Sequence, residues 1–172
     1  MDIIFENTLV RNKATAKRLY RYMFFRQPAM VIINLICFLC FLINLALVIW
    51  TPSTNWAVLV LVPVYFVFQY YRYASTASMM LKRDRETFGG EITLNIQVTD
   101  THLQQAVENN ENSAVSKVEL TNIKKAVFTK HLILIYTKAK LIYVLSKDAF
   151  QIGDAEGFYA FLQSKNIMVK GK

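Results

Sequence analysis

The chain has 172 residues, 54% hydrophobic and 19% charged, whereas a typical soluble domain carries about 25% charged residues; this balance argues against a wholly water-soluble protein. Five Gly and three Pro exclude a collagen-like or low-complexity chain, and two Cys exclude a disulfide framework and the usual four-ligand zinc site. The net charge of +8 is uneven, with 10 basic and 4 acidic residues in 1–90 against 10 and 8 in 91–172, which reads as membrane orientation and not as nucleic-acid binding.

In chain order, IIFENTL (3–9) has strand character, with Ile3 and Phe5 on one face. Residues 9–27 then read as a basic interfacial helix, completing an N-terminal segment over 1–28. At 100° per residue Leu9, Ala16, Leu19, Tyr20 and Met23 share a quadrant, while Arg11, Lys17, Arg18 and Arg21 lie opposite. Those four cations are the candidate lipid-headgroup contacts, although a plain basic anchor that follows the orientation rule is the preferred reading of them.

Residues 29–50 contain no charge and 14 Leu, Ile, Val or Phe. Their helix would be about 33 Å long, enough for a bilayer core of ~30 Å, and their insertion is favourable by roughly 4–8 kcal/mol. A second apolar run begins at Trp56 and reaches full span at about residue 75 if Arg72 snorkels. Pro63 predicts a kink inside it. Only TPSTN (51–55) separates the runs, so 29–88 is expected to be a two-helix transmembrane hairpin with a helical extension to Phe88. The loop carries no charge and the flanks carry Arg and Lys, so both termini are placed in the cytoplasm.

Gly89-Gly90 ends the helix and opens a β domain over 89–172. Ile92, Leu94, Ile96 and Val98 alternate with polar residues, the period of a half-buried strand. Further strands are expected at 102–108, 113–120, 123–128, 132–136 and 141–145, with ENNEN (108–112) as a hairpin loop. A helix at about 154–165 closes the chain, capped by Asp154, with Phe158, Phe161 and Leu162 as its apolar stripe. The predicted fold is therefore an α+β membrane protein: a transmembrane hairpin and a cytoplasmic antiparallel β domain, pleckstrin-homology-like, of six to seven strands, closed by a C-terminal helix. Residues 3–9 could supply the seventh strand, since they lie on the same side of the membrane.

This order of parts resembles the bacterial YcxB-like family. The resemblance is carried by SKVELTNIKKA (116–126), VLSKDAF (144–150) and GFYAFLQSK (157–165). Leu120 stands where the family usually has Trp, and Ser146 where it has Pro. The resemblance implies a bacterial plasma-membrane protein and suggests no activity and no catalytic residues.

The chemistry-bearing residues are few. His102 and His131 have no metal-ligand spacing, and neither a G-x-S-x-G elbow nor a phosphate-cradling loop occurs. No enzyme activity and no cofactor is expected. Cys37 and Cys40 form a C-x-x-C spacing, yet both lie within the first apolar run, where a thiolate is disfavoured. Asn34, Cys37, Phe41 and Asn44 share one helix face, which should meet protein because a lipid-facing asparagine leaves its amide unpaired. That face could pack on the second span, form a homodimer seam or hold a protein partner.

Three functions fit: a non-catalytic, membrane-anchored interaction or adaptor module; an immunity protein shielding its host membrane from a toxin; or an accessory subunit of a transporter or secretion complex. Membrane lipid and an unidentified protein are the expected partners, and nucleic acid is not.

Overall fold

The computed structural model describes residues 2–50, 56–108 and 113–171. The expected TPSTN loop and residues 109–112 of the expected ENNEN loop lie outside them. The chain divides into two units, Met1–Thr15 with Leu81–Lys172, and Ala16–Met80.

Among the described residues the first unit carries nine strands and a closing helix. Five strands form one sheet: β1 (Phe5–Arg11), β2 (Ile92–Val98), β3 (His102–Glu108), β4 (Ser113–Glu119) and β8 (Phe150–Ile152), in the order β4-β3-β2-β1-β8. A second sheet has the order β7-β6-β5-β9, from β5 (Ile123–Phe128), β6 (Leu132–Thr137), β7 (Ile142–Ser146) and β9 (Met168–Lys170). All pairings are antiparallel except β5 with β9.

The period of two in β2 has a physical outcome: Ile92, Leu94, Ile96 and Val98 are buried, and the residues between them are half-exposed. β1 pairs with β2 through seven residues, from Phe5 opposite Val98 to Arg11 opposite Ile92. Its Phe5 ring enters an aromatic cluster, 5.2 Å from Phe158, 5.4 Å from Phe161 and 6.5 Å from Phe150. Gly153 passes beside that ring at φ 74°, and a Cβ there would lie 2.4 Å from Phe5 Cδ1, so no side chain fits.

The closing helix α4 (Ala155–Ser164) is capped by Asp154, whose Oδ1 accepts the Gly157 N–H at 2.6 Å. It ends where Asn166 takes φ 56° and the Ile167 N–H reaches back to the Leu162 carbonyl at 3.0 Å. Phe158 and Leu162 are wholly buried against Ile96, Leu103, Ile133 and Leu145.

Two expectations are corrected here. Among the described residues there are nine strands, not six to seven, because β8 and β9 have three residues each, too few to show a period. The single helix expected over 9–27 does not form. Leu9 and Arg11 belong to β1, and the Asn12 Oδ1 accepts the Thr15 N–H at 3.0 Å to cap α1 (Lys13–Arg21). A π-helical turn follows over Tyr22–Arg26, and Gln27, ahead of Pro28, turns to the extended region at ψ 130°.

In the second unit, α2 (Pro28–Trp50) is long and apolar enough over Pro28–Val48 to cross a membrane. α3 (Trp56–Phe88) runs 33 residues with Pro63 inside it, without interruption. Among the described residues only the α2 stretch is that apolar, since α3 intersperses Gln69, Arg72 and several Tyr. Asn34 touches Tyr65 and Phe25 touches Tyr73, so α2 with its π-helical entry and α3 meet in opposite chain directions.

Candidate functional site

Charge isolates the second unit. No Asp or Glu occurs between Asn7 and Arg83, so Lys17, Arg18, Arg21 and Arg72 have no carboxylate within it. Such cations must be met by water, by rings or by an anion from outside.

Lys17 and Arg21 stand at i and i+4 on α1, one turn apart on the same face. Tyr70, Tyr73 and Ala74 stand at i, i+3 and i+4 on α3, and the π-helical turn adds Phe25. These six residues line a cleft of about 600 Å³. Its floor is aromatic: the Phe25 and Tyr73 rings meet edge to face at 5.7 Å, and Tyr70 lies 6.1 Å from Tyr73. Beside it the Arg72 guanidinium lies over Phe24 at 5.7 Å and Phe68 at 5.9 Å, which holds that cation against two rings. Burial pushes the Tyr22 hydroxyl above its ordinary range, so it stays protonated at neutral pH.

Of the four expected headgroup contacts, the fold brings two together. Lys17 and Arg21 line the cleft, and Arg18 is exposed on α1 outside it. Arg11 lies on β1, where its Nη1 is 3.2 Å from Asp84 Oδ1, an ion pair within the β unit. The helical period placed Arg11 with the others; the strand ladder takes it away.

The expected stripe on α2 is its least exposed face. Between Val31 and Val48 the half-buried positions are Asn34, Cys37, Phe41, Asn44 and Val48, and the rest are exposed. Asn34 Oδ1 accepts from the Tyr65 hydroxyl at 3.2 Å, and that hydroxyl accepts from Gln69 Nε2 at 2.7 Å. Asn44 instead donates to its own helix, at the Cys40 carbonyl, 2.8 Å away. The two asparagines should therefore respond differently to replacement. Asn34→Leu should cost about 0.6 kcal/mol, at most ~2, and Asn44→Leu close to nothing, read from the melting of the full chain in detergent. Equal costs would contradict this division.

The β unit has a cleft of about 500 Å³, lined by Asp100, His102, Lys117, Glu119 and Lys165 among others. Two of its charges pair with each other, Lys165 Nζ lying 2.6 Å from Asp100 Oδ1. His102 is buried, its Nδ1 3.0 Å from both Thr99 and Thr101 hydroxyls, where it closes the β2–β3 turn. Glu6 on β1 accepts Gln97 and Asn95 amides, which hold its carboxyl below the usual range. Among the described residues no group of three His, Cys, Asp or Glu could hold a metal ion.

The fold defines a class: a helical unit with an apolar, membrane-length helix, inserted in sequence between the first two strands of a two-sheet β unit. A family model described as YcxB-like protein matches residues 103–162, from β3 into α4. The matched segment contains the 116–126 and 144–150 motifs whole and most of the third. No curated protein and no solved structure matches the chain.

Proposed function

We propose that the chain is a non-catalytic, membrane-anchored interaction module that presents a pleckstrin-homology-like β unit at the cytoplasmic face of a bacterial plasma membrane. The observation that carries it is the exposed apolar surface of α2. Large side chains around nearly its whole circumference are exposed, Ile32 and Ile43 by more than half. Soluble monomers rarely expose a contiguous apolar surface of that extent.

Sheet pairing supports a two-span hairpin. β1 precedes the helical unit and β2 follows it, and the two share a ladder, so both lie on one side of any bilayer. A chain that crosses once through α2 must cross back. The first half of α3 is the segment available, with Val60, Leu61, Val64, Val67 and Phe68 exposed. Basic flanks and a charge-free TPSTN support a cytoplasmic position for the shared side. The Tyr65 bond to Asn34 occupies one polar residue of the α2 stripe within the chain, which favours the adaptor reading over toxin recognition by that face.

The test is thiol accessibility. With Cys37 and Cys40 replaced by Ala, a cysteine at Ser53 should react with an impermeant reagent in intact cells, and one at Asn110 should react only after lysis. Labelling of Asn110→Cys in intact cells would reverse the topology. Loss of the chain from membranes on alkaline washing would remove the anchor altogether.

A further inference from the structure

We propose that the cleft of Lys17, Arg21, Phe25, Tyr70 and Tyr73 is a binding site for the phosphate of an anionic, amine-free phospholipid headgroup; the inference rests on the membrane reading above.

Three independent observations meet there. The first is charge: among the described residues Lys17 and Arg21 make no ion pair, and their whole unit lacks a carboxylate. The second is geometry. An ammonium and a guanidinium one helical turn apart face a common cleft of about 600 Å³, within the size range of small-molecule sites. A guanidinium fork can hold two phosphate oxygens while the lysine acts as a point charge on the same group. The third is position: Arg21 precedes the apolar α2 by about two helical turns and Lys17 by about three, and the aromatic lining belongs to the type found at headgroup depth. At that depth the abundant anion is a lipid phosphate.

The same residues select between headgroups. An ethanolamine or choline headgroup brings its own cation, which would meet Lys17 and Arg21 and no acidic residue. A phosphoglycerol headgroup brings a phosphate and neutral hydroxyls, which Tyr70 and Tyr73 can meet.

The experiment uses the full chain in phosphatidylcholine vesicles, with spin-labelled phosphatidylglycerol or spin-labelled phosphatidylcholine as probe. The motionally restricted fraction of each reports relative association. Each cation near an anionic headgroup is worth about 1 kcal/mol, about fivefold. Lys17→Gln with Arg21→Gln should therefore reduce the phosphatidylglycerol preference by about fivefold to thirtyfold. Lys13→Gln with Arg18→Gln makes the same charge change outside the cleft and should leave most of the preference. The swap Lys17→Arg with Arg21→Lys should retain it, which shows that the charges are read and the fold is intact.

Equal losses in the two Gln pairs would mean a diffuse surface charge and overturn the site. A preference for phosphatidylcholine, or displacement of the lipid by millimolar glycerophosphate, would also overturn it, the latter in favour of a soluble anion. The membrane reading fails separately: a chain that alkaline washing strips from the vesicles was never inserted, and the site falls with it. A chain retained by the vesicles but without headgroup preference loses the site alone.

Discussion

Deleting residues 2–11 will unfold the β unit, although the deletion leaves every residue from Gly90 onward in place. β1 is an interior strand, hydrogen-bonded to β2 on one side and β8 on the other. Its Phe5 and Leu9 are 7% and 6% exposed. Truncating a buried Phe costs about 3–5 kcal/mol and a buried Leu about 2–5. Their sum, about 5–10 kcal/mol, is comparable with the whole stability of a domain, about 5–15. Hydrogen exchange on the full-length and deleted chains, both in detergent, should show lost amide protection in β2, β8 and α4. Phe5→Ala alone is the graded version, expected to destabilise by about 3–5 kcal/mol. Undiminished protection across 92–98 and 142–152 would contradict the interior role of β1. One practical consequence is that a fragment starting at the helix end, residues 89–172, lacks a central strand and makes a poor bait for partners.

How much of this was legible in the sequence depended on the length over which a pattern persisted. β2 declared itself because four apolar residues alternate without a break, and one face of the strand is wholly buried. α4 declared itself through Asp154 and the Phe158–Leu162 stripe, which the fold uses as cap and core. β8 and β9 did not, since three residues cannot show a period, and β9 is placed by a parallel ladder with β5 that no local signal encodes. The turn after β6 lacks glycine and is made instead by Lys140 at φ 64°. Between Leu9 and Arg11 two periods competed. The amphipathic pattern extended the helix backwards, but the ladder to Leu94, Thr93 and Ile92 held those residues as strand. The local cue was Asn12 three residues before Thr15, a cap that begins the helix after β1 has ended.

The candidate site was half legible. The absence of carboxylates from Asn7 to Arg83 and the four-residue spacing of Lys17 and Arg21 are plain in the sequence. Their aromatic partners were not: Tyr70 and Tyr73 lie some fifty residues away, and only the contact of the π-helical turn with α3 brings them to the cleft. The π-helical turn itself, followed by the Gln27-Pro28 break, gave no signal that a 3.6-residue pattern would register.

The largest single-residue effect of a polar kind should come from Asn7, which is wholly buried and joins the two sheets through its amide. From β1, its Nδ2 donates to the Ser146 carbonyl at 2.7 Å, and its Oδ1 accepts the Ser146 N–H at 3.1 Å. One side chain thus satisfies both backbone groups at the end of β7, as a neighbouring strand would. Asn7→Leu fills the space but leaves the Ser146 N–H without an acceptor and its carbonyl with only a long 3.4 Å bond from Ala149. At about 1–3 kcal/mol for each buried unsatisfied group, with the carbonyl partly compensated, the loss should be about 2–4 kcal/mol. Asn7→Asp separates polarity from pairing. It keeps an acceptor for the N–H and sets a buried carboxylate oxygen against the Ser146 carbonyl. Burial and that contact raise the acid's folded pKa, so this variant should be weakest at neutral pH. It should recover as pH falls through the raised value and the protonated acid donates where the amide did. Val10→Thr, on the exposed side of the same strand, should stay within about 0.5 kcal/mol of the parent. Chemical denaturation of the full chain at neutral and acid pH separates these outcomes. An Asn7→Leu chain as stable as the parent would show that the sheets are held by apolar packing alone, with the amide bridge contributing nothing net.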